Sequence, residues 1–392
     1  MKQKTTILLY IPALLIGSYW GYVKVALPVV PSLTQVFSIP ESTIHRILSL
    51  AFFLSGLSGL IWGAIIDYMY IKRFIIMITL LGMIILSISA VSNHFLLWST
   101  CYVFGAILLS GLLVCSRSFV MLYLEKDNHI KKAFSIMVFG AYLSAFLAPF
   151  ISGWTTTLLN WHYAFLVIPI MLLILLILSL RLGPQLKAPV GSLNIVNNIS
   201  YMLHCVNEKT IRKLLIMCSA TAAILQSYYI AIPFWLVSQY HIKAHNLAYY
   251  LLAMLTPGLL TPLIMPMLME KFSEKTLCVY SAISLILAGL LASIFSVSRH
   301  LPSWIWLTPG ILISLGTVIL LPIVSLHIMK RSEGRYSIAS SLLSVVSYVS
   351  GGIGIYITSY ITLHTFYREA IFIVLATIAT IYLLINLRAE LN

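Results

Sequence analysis

Two basic side chains, Lys24 and Arg117, fall inside long apolar runs of this 392-residue sequence. An ionisable group at membrane depth costs roughly 2.5–3.5 kcal/mol on insertion scales, so such residues face a cavity or pathway and find a partner there. Neither has an acid to pair with. Apart from Asp67, every carboxylate falls in a predicted loop or tail: Glu41, Glu125, Asp127, Glu208, Glu270, Glu274, Glu333, Glu369 and Glu390. Because an uncompensated buried charge is strongly disfavoured, the missing negative charge is expected to arrive on a solute. A guanidinium fork and an ammonium together suit an anion with carboxylates. The alternative for Lys24 is snorkelling to headgroups from the outer end of its run. For Arg117 it is snorkelling to the inner interface, since the charged loop that starts at Glu125 lies about two helical turns away.

Residues at compatible depth extend this candidate solute site to Tyr22, Tyr142, Gln226, Tyr229 and Tyr348, with Tyr19 and Trp235 close by in sequence. Tyr and Trp also collect at bilayer interfaces, so packing stands as the alternative for each. His45 and Arg46 would extend a basic funnel toward Lys24 if they face it. His327 is expected at the inner interface, and histidine titrates in the range that suits a carried proton. The five cysteines, Cys101, Cys115, Cys205, Cys218 and Cys278, show no paired spacing. Neither disulfides, a metal site nor a cofactor is expected.

The elements that must hold these residues follow from composition. The chain is 60% hydrophobic and 9% charged, with a mean hydropathy of +1.01, against about 25% charged in soluble domains. A bilayer core needs about 20 apolar residues per helix, and in lipid a backbone must satisfy its own hydrogen bonds. The pattern predicts an all-α membrane protein with twelve transmembrane helices. They fall at roughly 6–30, 43–66, 74–92, 96–124, 133–158, 163–181, 214–238, 247–269, 276–297, 304–329, 336–362 and 370–387. The first run is too long for a signal-peptide core and lacks a small-residue cleavage site, so it is expected to be retained.

Most of the 24 Lys and Arg residues then fall on one side, among them Lys72, Arg73, Lys131, Lys132, Lys213, Lys271, Lys330 and Arg335. Basic residues in short loops stay cytoplasmic, which places both termini in the cytosol. The formal charge of +14 is thus topogenic; a nucleic-acid surface would need a single basic soluble face. One long polar stretch, 182–213, divides the spans into an N-terminal half at 1–181 and a C-terminal half at 214–392. Two six-helix, pseudo-symmetric halves joined by a cytoplasmic linker imply alternating access about a midplane site. Prolines Pro257, Pro262 and Pro266, with Pro309 and Pro322, predict bends in two spans.

Several segments carry a resemblance. LPVVPSL (27–33), IHRILSLAF (44–52) and GAIIDYMYIKR (63–73) resemble the start of the Bcr/CflA-type drug:proton antiporters, a twelve-span branch of the major facilitator superfamily. APFISGW (148–154) resembles that family's fifth-helix antiporter motif around Pro149, with Ala148 and Ser152 replacing two glycines. NWHYAF (160–165) and SIASSLLSVVSYVSGGIG (337–354) resemble its sixth- and eleventh-helix segments. The resemblance implies a gate formed by Gly63, Asp67, Lys72, Arg73, Pro149 and Ser337, with Asp67 facing the start of the eleventh span, where Ser337 is a cap. Tyr68 and Tyr70 stand where the family usually has Arg and Gly. Lys24 stands where the family places a membrane acid implicated in proton coupling, a reversal of charge. Arg117 follows Ser116 as in the Ser-Arg pair of similar transporters, whereas the commoner superfamily Arg fifteen residues earlier is Tyr102.

The residues and the resemblance together predict a secondary transporter of the bacterial inner membrane. It is expected to export a small anionic metabolite, such as an organic acid or a carboxylate siderophore, with protons as a coupling ion and the lipid bilayer as its other partner. Multidrug efflux of uncharged or cationic compounds, and uptake of the same anion, are the alternatives within transport. A membrane enzyme acting on lipids would need clustered acids or an acid–histidine pair at one interface. Asp127 with His129 is the only such pair close in sequence, so no enzyme is expected.

Overall fold

The computed structural model describes residues 2–124, 127–181, 195–297, 301–332 and 335–361. In chain order the helices are α1 (Lys2–Val25), α2 (Val30–Val36), α3 (Glu41–Tyr68), α4 (Ile71–Val91), α5 (Phe95–Tyr123), α6 (Asp127–Leu158) and α7 (Trp161–Leu180). After residue 194 come α8 (Ile195–Asn207), α9 (Lys209–Tyr240), α10 (Ala244–Lys271), α11 (Glu274–Val297), α12 (Leu307–Lys330) and α13 (Tyr336–Ile361). Among the described residues, α3 to α7 and α9 to α13 supply ten helices long and apolar enough to cross a bilayer. The expected twelfth span, 370–387, lies outside the described residues.

Lipid contact is written on the helix faces. Along α4 the exposed positions are Leu80, Leu81, Ile84, Ile88 and Val91, and along α7 they are Ile170, Leu173, Ile174 and Ile177. This three-and-four spacing is one helical stripe, apolar and turned outward, the reverse of a helix in water. The interior instead collects hydroxyls: Ser55, Ser110, Ser116, Ser118, Ser340 and Ser344 are fully buried. Many bond the carbonyl three or four residues back, as Ser118 does to Val114 at 3.1 Å and Ser55 to Ala51 at 2.6 Å. Small polar side chains of this kind satisfy themselves in an apolar medium and let helices approach closely.

A close backbone approach joins α3 to α13. Gly56, Gly59 and Gly63 form a stripe against α13, and a methyl added at Gly56 would stand 2.7 Å from the Val349 nitrogen. Further out on the same pair, Ser49 donates to the Gly352 carbonyl at 2.9 Å. A second contact between the helices before residue 181 and those after 195 joins α6 to α10, where Gly258 leaves room for the Tyr142 ring. Because successive helices alternate in direction, Lys72, Lys131, Lys271 and Lys330 fall at one end of the bundle, here termed the basic face.

One expectation about element boundaries is corrected. The run 6–30 is not one helix: α1 ends at Val25 and residues 26–29 are turns. Pro28 has no amide to return to the Lys24 carbonyl and its ring would clash with it; that carbonyl instead accepts from Leu27 at 3.2 Å. The described part of the polar stretch 182–213, expected to link the halves, is helical: α8 followed directly by the start of α9. Tyr201 of α8 donates to the Ser332 carbonyl at 3.0 Å, and Arg335 lies over its ring at 4.4 Å. Helix α8 therefore lies under the basic face, where α12 turns into α13.

Candidate transport cavity

A cavity of about 80 Å³ opens between the helix sets, lined from α1, α5 and α6 on one side and α9, α10, α12 and α13 on the other. That space holds several water molecules. Its walls include Lys24, Arg117, Tyr142, Gln226, Tyr229 and Tyr348, so six of the seven solute-site residues expected from sequence meet in one place. It reaches from the level of Lys24 and Tyr229 to Phe134 and Ser325, a few residues short of the basic face.

Neither cation snorkels. Lys24 is 3% exposed and Arg117 8%. The Cα–Cβ bonds of a helix tilt toward its N-terminus. Lys24 is late in α1, which starts at the basic face, and Arg117 is late in α5, which ends there. Both side chains consequently lean toward the middle of the bundle, away from the interface nearest each.

Their hydrogen-bond partners are neutral groups on the opposite helix set. Lys24 Nζ donates to Gln226 Oε1 at 3.3 Å and lies 4.5 Å from the Tyr229 ring centroid and 5.8 Å from that of Trp20. Arg117 Nη1 donates to Ser344 Oγ at 2.9 Å and to the Ser340 carbonyl at 3.3 Å. Ser340 Oγ returns a bond to the Val114 carbonyl at 2.9 Å. Among the described residues, no carboxylate lines the cavity. Gly351 stands 3.0 Å, measured from the position of an added methyl, from Gln226 Cγ, so the amide owes its room to an absent side chain.

Several expected residues sit elsewhere. Tyr22 is not on the cavity wall: it is buried against Tyr102, ring centroids 4.9 Å apart, and its hydroxyl donates to the Tyr102 carbonyl. Trp20, one turn before Lys24, takes the place expected of Tyr22. Trp235 packs on Trp306 at 5.6 Å, away from the cavity. His45 is buried and Arg46 exposed, and neither lines the cavity. Ser347 and Ser325, not singled out from sequence, do line it.

At the basic end, Gly63 admits α13 so closely that an added methyl would stand 3.2 Å from the Ser337 carbonyl. Asp67 is in electrostatic contact with Ser337 and Arg335. Ser337 is not a cap, because α13 already begins at Tyr336; its side chain faces Asp67 instead. Lys72 donates to the Leu180 carbonyl at 3.1 Å and Arg73 lies over Tyr70 at 5.2 Å. The contacts described for both thus stay within their own helix set. Pro149 is buried inside α6, and its carbonyl accepts from Ser152 at 3.2 Å. His327 does not simply face the interface: it is paired with Glu274 of α11. An acid–histidine contact therefore exists apart from the Asp127 and His129 region, joining spans distant in sequence.

Lipid-facing helices around a central cavity that holds two buried cations, in contact through matched stripes of small residues, make this a membrane carrier for solutes. The chain belongs to the Major Facilitator Superfamily, whose family model matches residues 13–355. The match takes in every residue lining the cavity. It is a multi-pass membrane protein and, as a member of that superfamily, a secondary transporter of small molecules. No curated protein matches the chain.

Proposed function

We propose that this transporter carries a small carboxylate-bearing anion by alternating access, its halves 1–181 and 214–392 rocking about the cavity while the stretch 182–213 connects them. One observation carries the reading: two cations from the first helix set enter one cavity whose described walls hold no acid. Buried cations held by one amide, one hydroxyl, one carbonyl and aromatic rings are poorly compensated, and a carboxylate supplies charge-assisted bonds about twice as strong as neutral ones. Gln226, Tyr142, Tyr229, Tyr348 and Trp20 would orient the bound anion. Gly63, Asp67 and Ser337 would form the gate at the basic face, whereas Pro149 lies in the opposite half of α6 and would serve gating from there. Lys72 and Arg73 would act there by anchoring the ends of their helices.

Export coupled to protons, in a bacterial inner membrane with both termini cytoplasmic, is supported by the family resemblance and by the one-sided placement of basic residues. The apolar wall formed by Phe134, Met137, Val138 and Leu321 favours a second reading, efflux of uncharged or cationic compounds. Comparing anions retained by cells with and without the gene identifies a cargo, and everted vesicles given a proton gradient then test its accumulation. Lys24→Ala and Arg117→Ala are each expected to abolish that accumulation. Full activity in both variants, or cargo that is uniformly uncharged or cationic, sinks the anion reading.

A further inference from the structure

Arg117 is used on only one edge. A guanidinium carries five N–H donors in a fixed planar fork. Both hydrogen bonds of Arg117 leave from Nη1, to Ser344 Oγ and the Ser340 carbonyl. The Nε and Nη2 donors have no protein acceptor among the described residues, yet the residue lines the cavity. The Nε and Nη2 pair can grip a carboxylate with two parallel bonds.

We infer that Arg117 couples anion binding to closure of the cavity at the basic face: its Nη1 edge straps α5 to α13, and its Nε–Nη2 edge is the fork that takes the carboxylate. This rests on the anion reading above. The coupling comes from desolvation. Drawing α5 and α13 together around an empty cavity strips water from a charged fork with nothing to replace it, which is costly. With a carboxylate in the fork the charge is compensated, and closing no longer exposes that cost. An anion therefore favours the strapped state, and loss of the strap favours opening even when no anion is present. A lysine at this position would keep the charge but not the planar pair of donors.

Cys218 offers a native reporter, because it lies on α9 in the part of the bundle near the basic face, is 1% exposed, and contacts Ser347 Oγ at 3.0 Å. The full chain, with Cys101, Cys115, Cys205 and Cys278 replaced by serine, is labelled at Cys218 with N-ethylmaleimide, with and without benzoate or its neutral counterpart benzamide. Ser344→Ala is expected to speed labelling about tenfold, the population change that follows losing a hydrogen bond to a charged group. Benzoate should slow labelling several-fold in the parent protein and not in Arg117→Lys, while benzamide does nothing. Equal labelling of Ser344→Ala and its parent overturns the strap, and equal protection of Arg117→Lys by benzoate overturns the fork. Should Ser344→Ala not elute as a folded protein, the benzoate response of Arg117→Lys decides. Failure of the anion reading looks different: benzoate then leaves the parent unchanged, which overturns the coupling, while Ser344→Ala still labels faster.

Discussion

At the scale of single residues, the Lys24–Gln226 contact is the most informative because its two partners predict opposite outcomes. Removing the acceptor by Gln226→Leu leaves the ammonium with no side-chain hydrogen bond, and should cost about 1.5–3 kcal/mol of stability. Removing the charge by Lys24→Met should be neutral or stabilising, since apolar replacement of a buried ion often is, yet it should abolish transport. The double variant should recover most of the stability lost in Gln226→Leu, as coupled neighbours do. Thermal unfolding in detergent checks this, and additive losses would show that the bond contributes nothing. Lys24 and Arg117 were legible in the sequence because charge at depth is rare enough to stand out. The choice of Tyr22 over Trp20 was not legible. Helix α1 is apolar on nearly every face, so nothing in its pattern marks which side meets the cavity, although Ile16, Trp20 and Lys24 do share a four-residue spacing. The Glu274–His327 pair was likewise hidden, because it depends on α11 lying beside α12.

At the scale of elements, the α3–α13 contact is set by backbone proximity, whereas the contact of α1 with α7 has side-chain slack. A methyl at Gly56 would stand 2.7 Å from a backbone nitrogen of α13; one at Gly21 would have Met171 Sδ as its nearest neighbour, at an ordinary contact distance of 3.4 Å. Overpacking typically costs about 1–3 kcal/mol, and a flexible thioether can move aside. Gly56→Ala should therefore lower the unfolding temperature clearly and Gly21→Ala hardly at all. Similar losses in both would mean that helix propensity, and not the approach of α3 to α13, governs the effect. Long apolar runs made ten spans legible to within a few residues. Where the chain departs from regular helix the sequence was harder to read. Pro28 was visible, but whether it bends a span or ends it depends on what receives the freed Lys24 carbonyl, here the amide of Leu27. Helix α8 within the linking stretch was not legible because it is short, and its burial of Met202 and Cys205 depends on the helices above it.

At the scale of the molecule, the charge pattern and the folded helices make one joint claim about sidedness. The bundle carries Lys72, Lys131, Lys271 and Lys330 at one end, while the opposite end presents loops such as Leu159 and Asn160 between α6 and α7. Basic residues resist translocation, so the basic face should be the cytoplasmic one. Leu159 is 67% exposed, and Ser273, between α10 and α11, is exposed at the basic end. In a background with the native cysteines replaced by serine, Leu159→Cys should react with a membrane-impermeant maleimide in intact cells. Ser273→Cys should react only after the membrane is opened. Labelling of Ser273→Cys in intact cells would invert the protein, and with it the meaning of the cavity. That cavity extends toward the basic face, so the orientation decides whether its occupant is exchanged with the cytosol or with the outside. An exporter must load from the cytosol. The two labelling rates therefore bear on direction as well as topology, because a cytoplasmic basic face puts the end toward which the cavity extends on the side from which an exporter loads.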